Sequence, residues 1–249
     1  MTSEPKPIAV VLASHGDRGG SHPNAALRSQ AEAVSALTGL RVWTGVLKGE
    51  PTLESALAES AASGAPRIAV YPLFMADGYF VQKVRDRIAA AGFENIAHLL
   101  TPLGLDPALP DLIVESAAAT AHGGGFEPAS SRLLIVGHGS KLGPASASTT
   151  RKVAARAALA RRFASVATAF LEEEPFVDDA LRASEAPTVV AGFFFGDGMH
   201  GGDDVPEAIA ETGARAIYTG AIGNSPAVAP LIAAALMKAV PNRGGSKQS

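Results

Sequence analysis

His138 in LLIVGHGSKLG, the glutamates at 172–174 in FLEEEPFVDDAL and His200 in AGFFFGDGMHGGDDVPEAI are the residues whose types and spacing can do chemistry. Imidazole and carboxylate together suit divalent first-row metals such as iron, cobalt or nickel. An imidazole also accepts a proton near neutrality, because its ordinary pKa is about 6.5. The chain has no Cys. Thiolate zinc sites, iron–sulfur clusters, disulfides and Cys nucleophiles are therefore excluded, and a transition metal must be held by His, carboxylate or backbone oxygen. Taken singly, each motif has a bland reading. A His-Gly after a strand is a turn, a glutamate run is a solvated loop, and Asp203-Asp204-Val205-Pro206 is a helix N-terminus, where acids and proline are favoured. Met199 reads as a packing residue, and His22, His98 and His122, with no motif around them, as surface residues.

The joint pattern says more, because it occurs twice. The first half carries VVLASHGDRG, VLKGEPTLESAL and VYPLFMADGYF in the same order. His15 answers His138, Glu50-Pro51 answers Glu174-Pro175, and Gly78 answers Gly198. Further on, Gly104, Pro107 and Leu112-Ile113 answer Gly223, Pro226 and Leu231-Ile232. One position breaks the repeat: where the second half has His200, the first has Phe80. The pattern reads as duplication of one unit with loss of function in one copy.

The elements that must position these residues follow from periodicity. Apolar runs beginning at Ile8, Leu40, Arg67 and Ile96 read as strands buried on both faces, as parallel strands under helices are. Helical spacing covers 25–37, 52–62, 80–91 and 109–120. In the second half LLIVG, SVATAFL, TVVAGFFF and AIYTGAI are strands, with helices near 148–161, 176–183, 204–211 and 227–239. Strands alternating with helices imply right-handed βαβ units and a parallel sheet. In such sheets ligands bind beyond the carboxyl ends of the strands. His138, the glutamates and His200 all follow strands, so one rim receives them. The Gly/Pro/Ser-rich segment 121–131 marks the junction of two domains, 1–122 and 123–249, each of ordinary domain size. Residues 1–6 and 242–249 are expected to be unstructured.

Composition excludes other classes. At 47% hydrophobic and 18% charged the chain has ample material for a core, and a net charge of −3 leaves no footprint for nucleic acid. No apolar run is long enough to span a membrane, and no apolar stretch precedes Ile8 as a signal peptide would, so the expected location is the cytoplasm.

VGHGSK with FLEEEP and FFFGDGMHGGDDVPEAI resembles the class II tetrapyrrole chelatases, specifically the sirohydrochlorin cobalto-/ferrochelatases of the long CbiX type. Their repeat has a strand–HGS turn, a leucine–acid–proline stretch and a phenylalanine-rich strand leading to G-x-H-x-x-x-D-I/V-P. The second half matches nearly every element; the first keeps HG, the Glu-Pro pair and the PLF strand but has GYFVQKVRD at the last. The resemblance covers essentially the whole chain. It implies an α/β fold of two flavodoxin-like, chelatase-like halves, each a four-stranded parallel sheet flanked by helices, with a cleft between them for the macrocycle. It implies a lyase that inserts cobalt or iron into sirohydrochlorin without ATP, for cobalamin or sirohaem synthesis. The divalent metal is then a substrate, no nucleotide is needed, and the partner is a small tetrapyrrole, with the chain a monomer or homodimer.

By the same resemblance His138 and His200 carry over as the catalytic and metal-binding pair. The carboxylate is less fixed: Glu172 as a catalytic group or Glu174 as a metal ligand. Ser140, Phe80 and His15 are the expected contacts to the ring, with Tyr79 beside Phe80 as a stacking surface. Two pyrrole protons must leave as the metal enters, so one His delivers the metal while the other takes a proton. Ligation needs neutral imidazole, and activity is expected to fall below about pH 6. A cleft that bends the ring favours the transition state over the planar ground state. The carboxylates of the macrocycle call for basic side chains at the rim, and Arg18, Lys48, Lys83, Arg85 and Lys141 stand near strand ends.

Rival readings differ in testable ways. A non-catalytic tetrapyrrole or metal carrier on a degraded chelatase scaffold binds without turnover. A histidine phosphatase wants Arg before its His, whereas Ser14 and Gly137 stand there. A nucleotide-binding domain wants a phosphate loop, and no G-x-G-x-x-G or G-K-[ST] follows a strand.

Overall fold

Runs of Val, Ile, Leu and Ala, bounded by Gly and Pro, fold as the strands their periodicity predicts. The structure is a computed structural model describing residues 8–17, 23–141, 143–196 and 200–239, with the side chain of His200 outside the description. Arg18, His22, Gly198, Met199 and the two terminal segments also lie outside the described residues. The first half runs β1 (Ala9–Ser14), α1 (Ala25–Thr38), β2 (Val42–Val46), α2 (Leu53–Ala62), β3 (Ile68–Pro72), α3 (Tyr79–Ala90), β4 (Ala97–Leu99) and α4 (Leu109–Gly123). The second repeats it with β5 (Arg132–Gly137), α5 (Ala145–Ala158), β6 (Ser165–Phe170), α6 (Val177–Arg182), β7 (Thr188–Gly192), α7 (Val205–Thr212), β8 (Ala216–Ala221) and α8 (Val228–Ala239).

Each half holds a four-stranded sheet, ordered β2-β1-β3-β4 and β6-β5-β7-β8, and every pairing is parallel. In both sheets the chain steps outward from the first strand and then returns to its other side. The loops after the first and third strands therefore border the point where strand order reverses, the usual ligand crevice of open α/β sheets.

Helix α5 starts at Ala145, three positions before the predicted 148, because Pro144 is tolerated where the first helical N–H groups have no partner anyway. Glycine is required where two loops meet the rim: a Cβ on Gly104 or Gly223 would come within 2.1 Å or 1.9 Å of a carbonyl oxygen, Met75 or Phe195.

The halves are not packed as two separate cores. Helix α4 lies on α5, β7 and β8, and α8 lies on α1 and β3, so each half gives its last helix to the other. Leu109, Ile113 and Ala117 of α4 and Val228, Ile232 and Leu236 of α8 belong to one buried cluster with Val10, Leu12, Leu133 and Ile135 of both sheets. The outer faces keep private cores, around Val11, Leu57 and Val84 in one half and Leu134, Leu181 and Val190 in the other. Buried Gln30 of α1 donates across the junction to the carbonyls of Gly223 and Ser225, both at 2.9 Å. The rims also approach each other. A Cβ on Gly78 would sit 3.2 Å from Ala145 Cβ, and one on Gly196 would sit 3.9 Å from Ala26 Cβ.

Candidate active site

The second-half site is built by three loops that β5, β6 and β7 aim at one edge. The loop after β6 continues the ladder beyond the strand, with Glu172 N–H donating to the His138 carbonyl at 3.0 Å. The backbone turns at once at Gly139, whose φ of +74° suits glycine, and the Glu173 side chain fills the space where a Cβ would stand. His138 Nδ1 lies 3.1 Å from the Gly139 carbonyl and 3.8 Å from Glu172 Oε2. Both neighbours are acceptors, so they assign the ring proton to Nδ1 and leave the lone pair on Nε2. An imidazole oriented by a carboxylate beside one nitrogen is a usual metal-site arrangement. His138 and Glu172 are both about 40% exposed (39% and 44%), so the pair faces the rim rather than the core.

His200 opens a π turn, His200–Asp204, that runs into α7. Turns of this class recur at functional sites. Val205 at the start of α7 is fully buried and fixes that helix on the sheet, while Asp203 is exposed and Asp204 half-buried. Glu174 is exposed and precedes a cis peptide to Pro175. Ser140 presents its backbone N–H to Glu173 Oε2 at 3.1 Å, and Arg151 of α5 reaches Glu173 Oε1 at 3.2 Å. Between α6 and α7 lies an acidic groove of about 370 Å3 whose walls include Phe176, Asp178 and Glu207. There the Arg182 guanidinium holds the Asp178 carboxyl below the usual carboxylate range. Among the described residues, no group of three or more His, Asp and Glu stands close enough to hold a metal.

The first half repeats the backbone and changes the side chains. Lys48 N–H donates to the His15 carbonyl at 2.8 Å, Gly16 has φ +96°, and His15 Nδ1 lies 3.1 Å from the Gly16 carbonyl. Lys48, however, stands where Glu172 stands in the other half, and Gly49 where Glu173 stands. Phe80 meets the His15 ring edge-on at 4.8 Å, stacks on Phe74 at 5.9 Å and touches Tyr79 at 5.3 Å. Lys83 lies over the Tyr79 ring at 5.0 Å. Tyr79 and Phe80 remain exposed at 58% and 41%, so these two rings form a surface over buried Phe74.

Of the basic residues expected at the rim, Lys48, Lys83, Arg85 and Lys141 are exposed, as are His98 and His122. Sequence reasoning named Glu173 only within the run 172–174, and it missed Arg151 and Asn24. Each holds a loop by hydrogen bonds to backbone or to a charge, and no motif marks such residues.

Comparison with known proteins agrees with this architecture. The CbiX family matches twice, at residues 9–120 and 132–239. A probable sirohydrochlorin cobaltochelatase of Halobacterium salinarum is 24% identical over 90% of this chain and 89% of its own length. The structure of CbiX from denitrifying bacteria, described as the terminal enzyme of sirohaem biosynthesis, is 30% identical with a TM-score of 0.79, covering 93% of this chain and 99% of that one. A structure of SirB from Bacillus subtilis with Fe3+ shares the fold at 18% identity, with a TM-score of 0.80 over 95% of this chain and 97% of that one. Among the described residues no helix is long and apolar enough to cross a membrane. Two family matches that together span both halves, on a scaffold of two four-stranded parallel sheets, make this chain a member of the CbiX family, a class II sirohydrochlorin chelatase of the long, two-half type.

Proposed function

We propose that this chain inserts a divalent cobalt or iron ion into sirohydrochlorin without ATP, for cobalamin or sirohaem synthesis, and that the second half carries the chemistry. The observation that carries the assignment is the contrast between equivalent positions. In the first half the residue after β1 and the second residue of α3 are in ring contact, His15 on Phe80 at 4.8 Å. The repeat puts His138 and His200 at those two positions of the second half. His138 further has Glu172 beside Nδ1, whereas His15 has a lysine at that place in the sequence.

In this reading His138 and His200 share the work. Nε2 of one imidazole holds the incoming ion, and the other accepts a pyrrole proton as a nitrogen–metal bond replaces a nitrogen–hydrogen bond. Two protons leave for each metal that enters, so the ring stays charge-balanced. Glu172 orients His138 and favours the imidazolium that forms; Glu174 is the alternative carboxylate, exposed on the same loop. Phe80 and Tyr79 offer a stacking face to the macrocycle, with Lys83, Lys48 and Lys141 near its carboxylates. In the same reading His15 and Ser140 contact the macrocycle, and the first and second halves, 1–122 and 123–249, hold the ring and the metal respectively.

The test is anaerobic incubation with sirohydrochlorin and Co2+, Fe2+ or Ni2+ in turn, followed by the absorbance change of metallation. Acceleration with cobalt or iron is expected. No acceleration over the spontaneous rate with any of the three sinks the reading.

A further inference from the structure

Two residues beyond each rim histidine, the backbone N–H is tied down by a side chain, and the two halves use different ones. In the first half Asp17 N–H donates to Asn24 Oδ1 at 2.7 Å, and Asn24 Nδ2 donates onward to the Glu50 carbonyl at 3.1 Å. Buried Asn24 at the start of α1 thus straps the loop after β1 to the loop after β2. In the second half Ser140 N–H donates to Glu173 Oε2 at 3.1 Å, and Glu173 Oε1 accepts from Arg151 at 3.2 Å. Arg151 is itself anchored, its guanidinium 4.8 Å over the ring of fully buried Phe170. The same N–H is held in both halves, but only in the second half is the strap a carboxylate.

We propose that Glu173 is the positioning residue of the second-half site, acting through His138. Its carboxylate fixes the His138–Gly139–Ser140 turn against the loop after β6, with the Glu173 Cγ 2.9 Å from where a Gly139 Cβ would be. That holds the imidazole where Nδ1 faces Glu172. Arg151 takes up the charge of Glu173, so the strap adds no second anion to compete for the metal. Glu172 is left as the carboxylate next to the imidazole. The inference rests on the reading of His138 as a working residue of the chelatase.

Residues that orient a ligand usually cost about 10–100-fold when removed. In cobalt insertion by the full chain, Glu173→Ala is expected to lower kcat by about that factor, with KM for sirohydrochlorin within about twofold of the unsubstituted protein. Glu173→Gln keeps an oxygen for Ser140 N–H and is expected to recover most of kcat. A second readout does not depend on turnover: ring nitrogen NMR signals of His138 in the 15N-labelled chain shift in Glu173→Ala, while those of His98 and His122 stay. If Glu173→Ala does not fold, Arg151→Met loosens the strap from its other end and carries the same two readouts. Wild-type kcat in these variants, or a loss of kcat with the His138 signals unmoved, overturns the proposal. Unsubstituted protein that shifts its His138 signals on adding Co2+ but inserts no metal defeats the functional reading instead.

Discussion

The two halves share a strand order and a turn after the first strand, and they part at the rim side chains. Strand order, the turn at the positive-φ glycine and the hydrogen bond from the second loop back to the histidine carbonyl are common to both. At those rims one half sets Glu172, Glu173 and His200, the other Lys48, Gly49 and Phe80. The first set offers an imidazole and the unstrapped Glu172 carboxylate, and the second a cation and an aromatic surface. On the proposed reading fold and chemistry are separable here: one scaffold presents both rims, and a few substitutions set which of them takes the metal and which the ring face.

The sharpest way to break that comparison is to remove one histidine at a time. His138→Ala or His200→Ala is expected to reduce insertion to the spontaneous background in a stopped-assay measurement, while His15→Ala stays within a few-fold of the unsubstituted rate. A dead His15→Ala would exchange the roles of the halves. Next in size are the exchanged helices. Ile113→Ala in α4 and Ile232→Ala in α8 each delete a fully buried side chain from the shared core and should cost about 2–5 kcal/mol. Because that core belongs to both sheets, denaturant titration should show one transition in either variant; two resolved transitions would mean that the halves are independent.

A gain-of-site experiment sharpens the charge argument. Lys48→Glu together with Phe80→His gives the first half the polar set of the second. Isothermal titration with Co2+ alone should then rise from one equivalent to two; one equivalent throughout would mean that these two side chains are not what separates the halves. The smallest expected difference lies at a helix cap. Thr52 accepts from Ser55 N–H at 3.1 Å to start α2, whereas Phe176 at the equivalent start of the six-residue α6 makes no such bond. Thr52→Ala should lose about 1 kcal/mol and Phe176→Thr should gain up to that amount, read as a shift in midpoint at constant slope.

Much of this was legible in the residues because each signal is local. Buried strands announce themselves as runs such as LLIVG, and rim positions follow from where those runs stop. The repeat supplied the pairing of His138 with His15 and of His200 with Phe80. What stayed hidden is non-local. The 3.6-residue spacing of 109–120 says that α4 has an apolar face, but not that β7 and β8 will cover it. Three adjacent glutamates have no period that could sort them. Only the folded loop shows Glu172 beside the imidazole, Glu173 strapped to Ser140 and Arg151, and Glu174 in solvent. Asn24 was invisible for the same reason, since its two partners come from different loops.

The traded helices also set an order for synthesis. A ribosome completes the strands of the first sheet at Leu99, but α8, which lies against β3 and α1, is not translated until Val228–Ala239. Domains ordinarily fold as they emerge, amino-terminal first. Here the early half leaves the tunnel with part of one apolar face still open, and α8 closes it later. Stalled or prematurely ended chains of this protein should therefore expose that face, and a chaperone that reads apolar surface would hold them until residue 239 is in place.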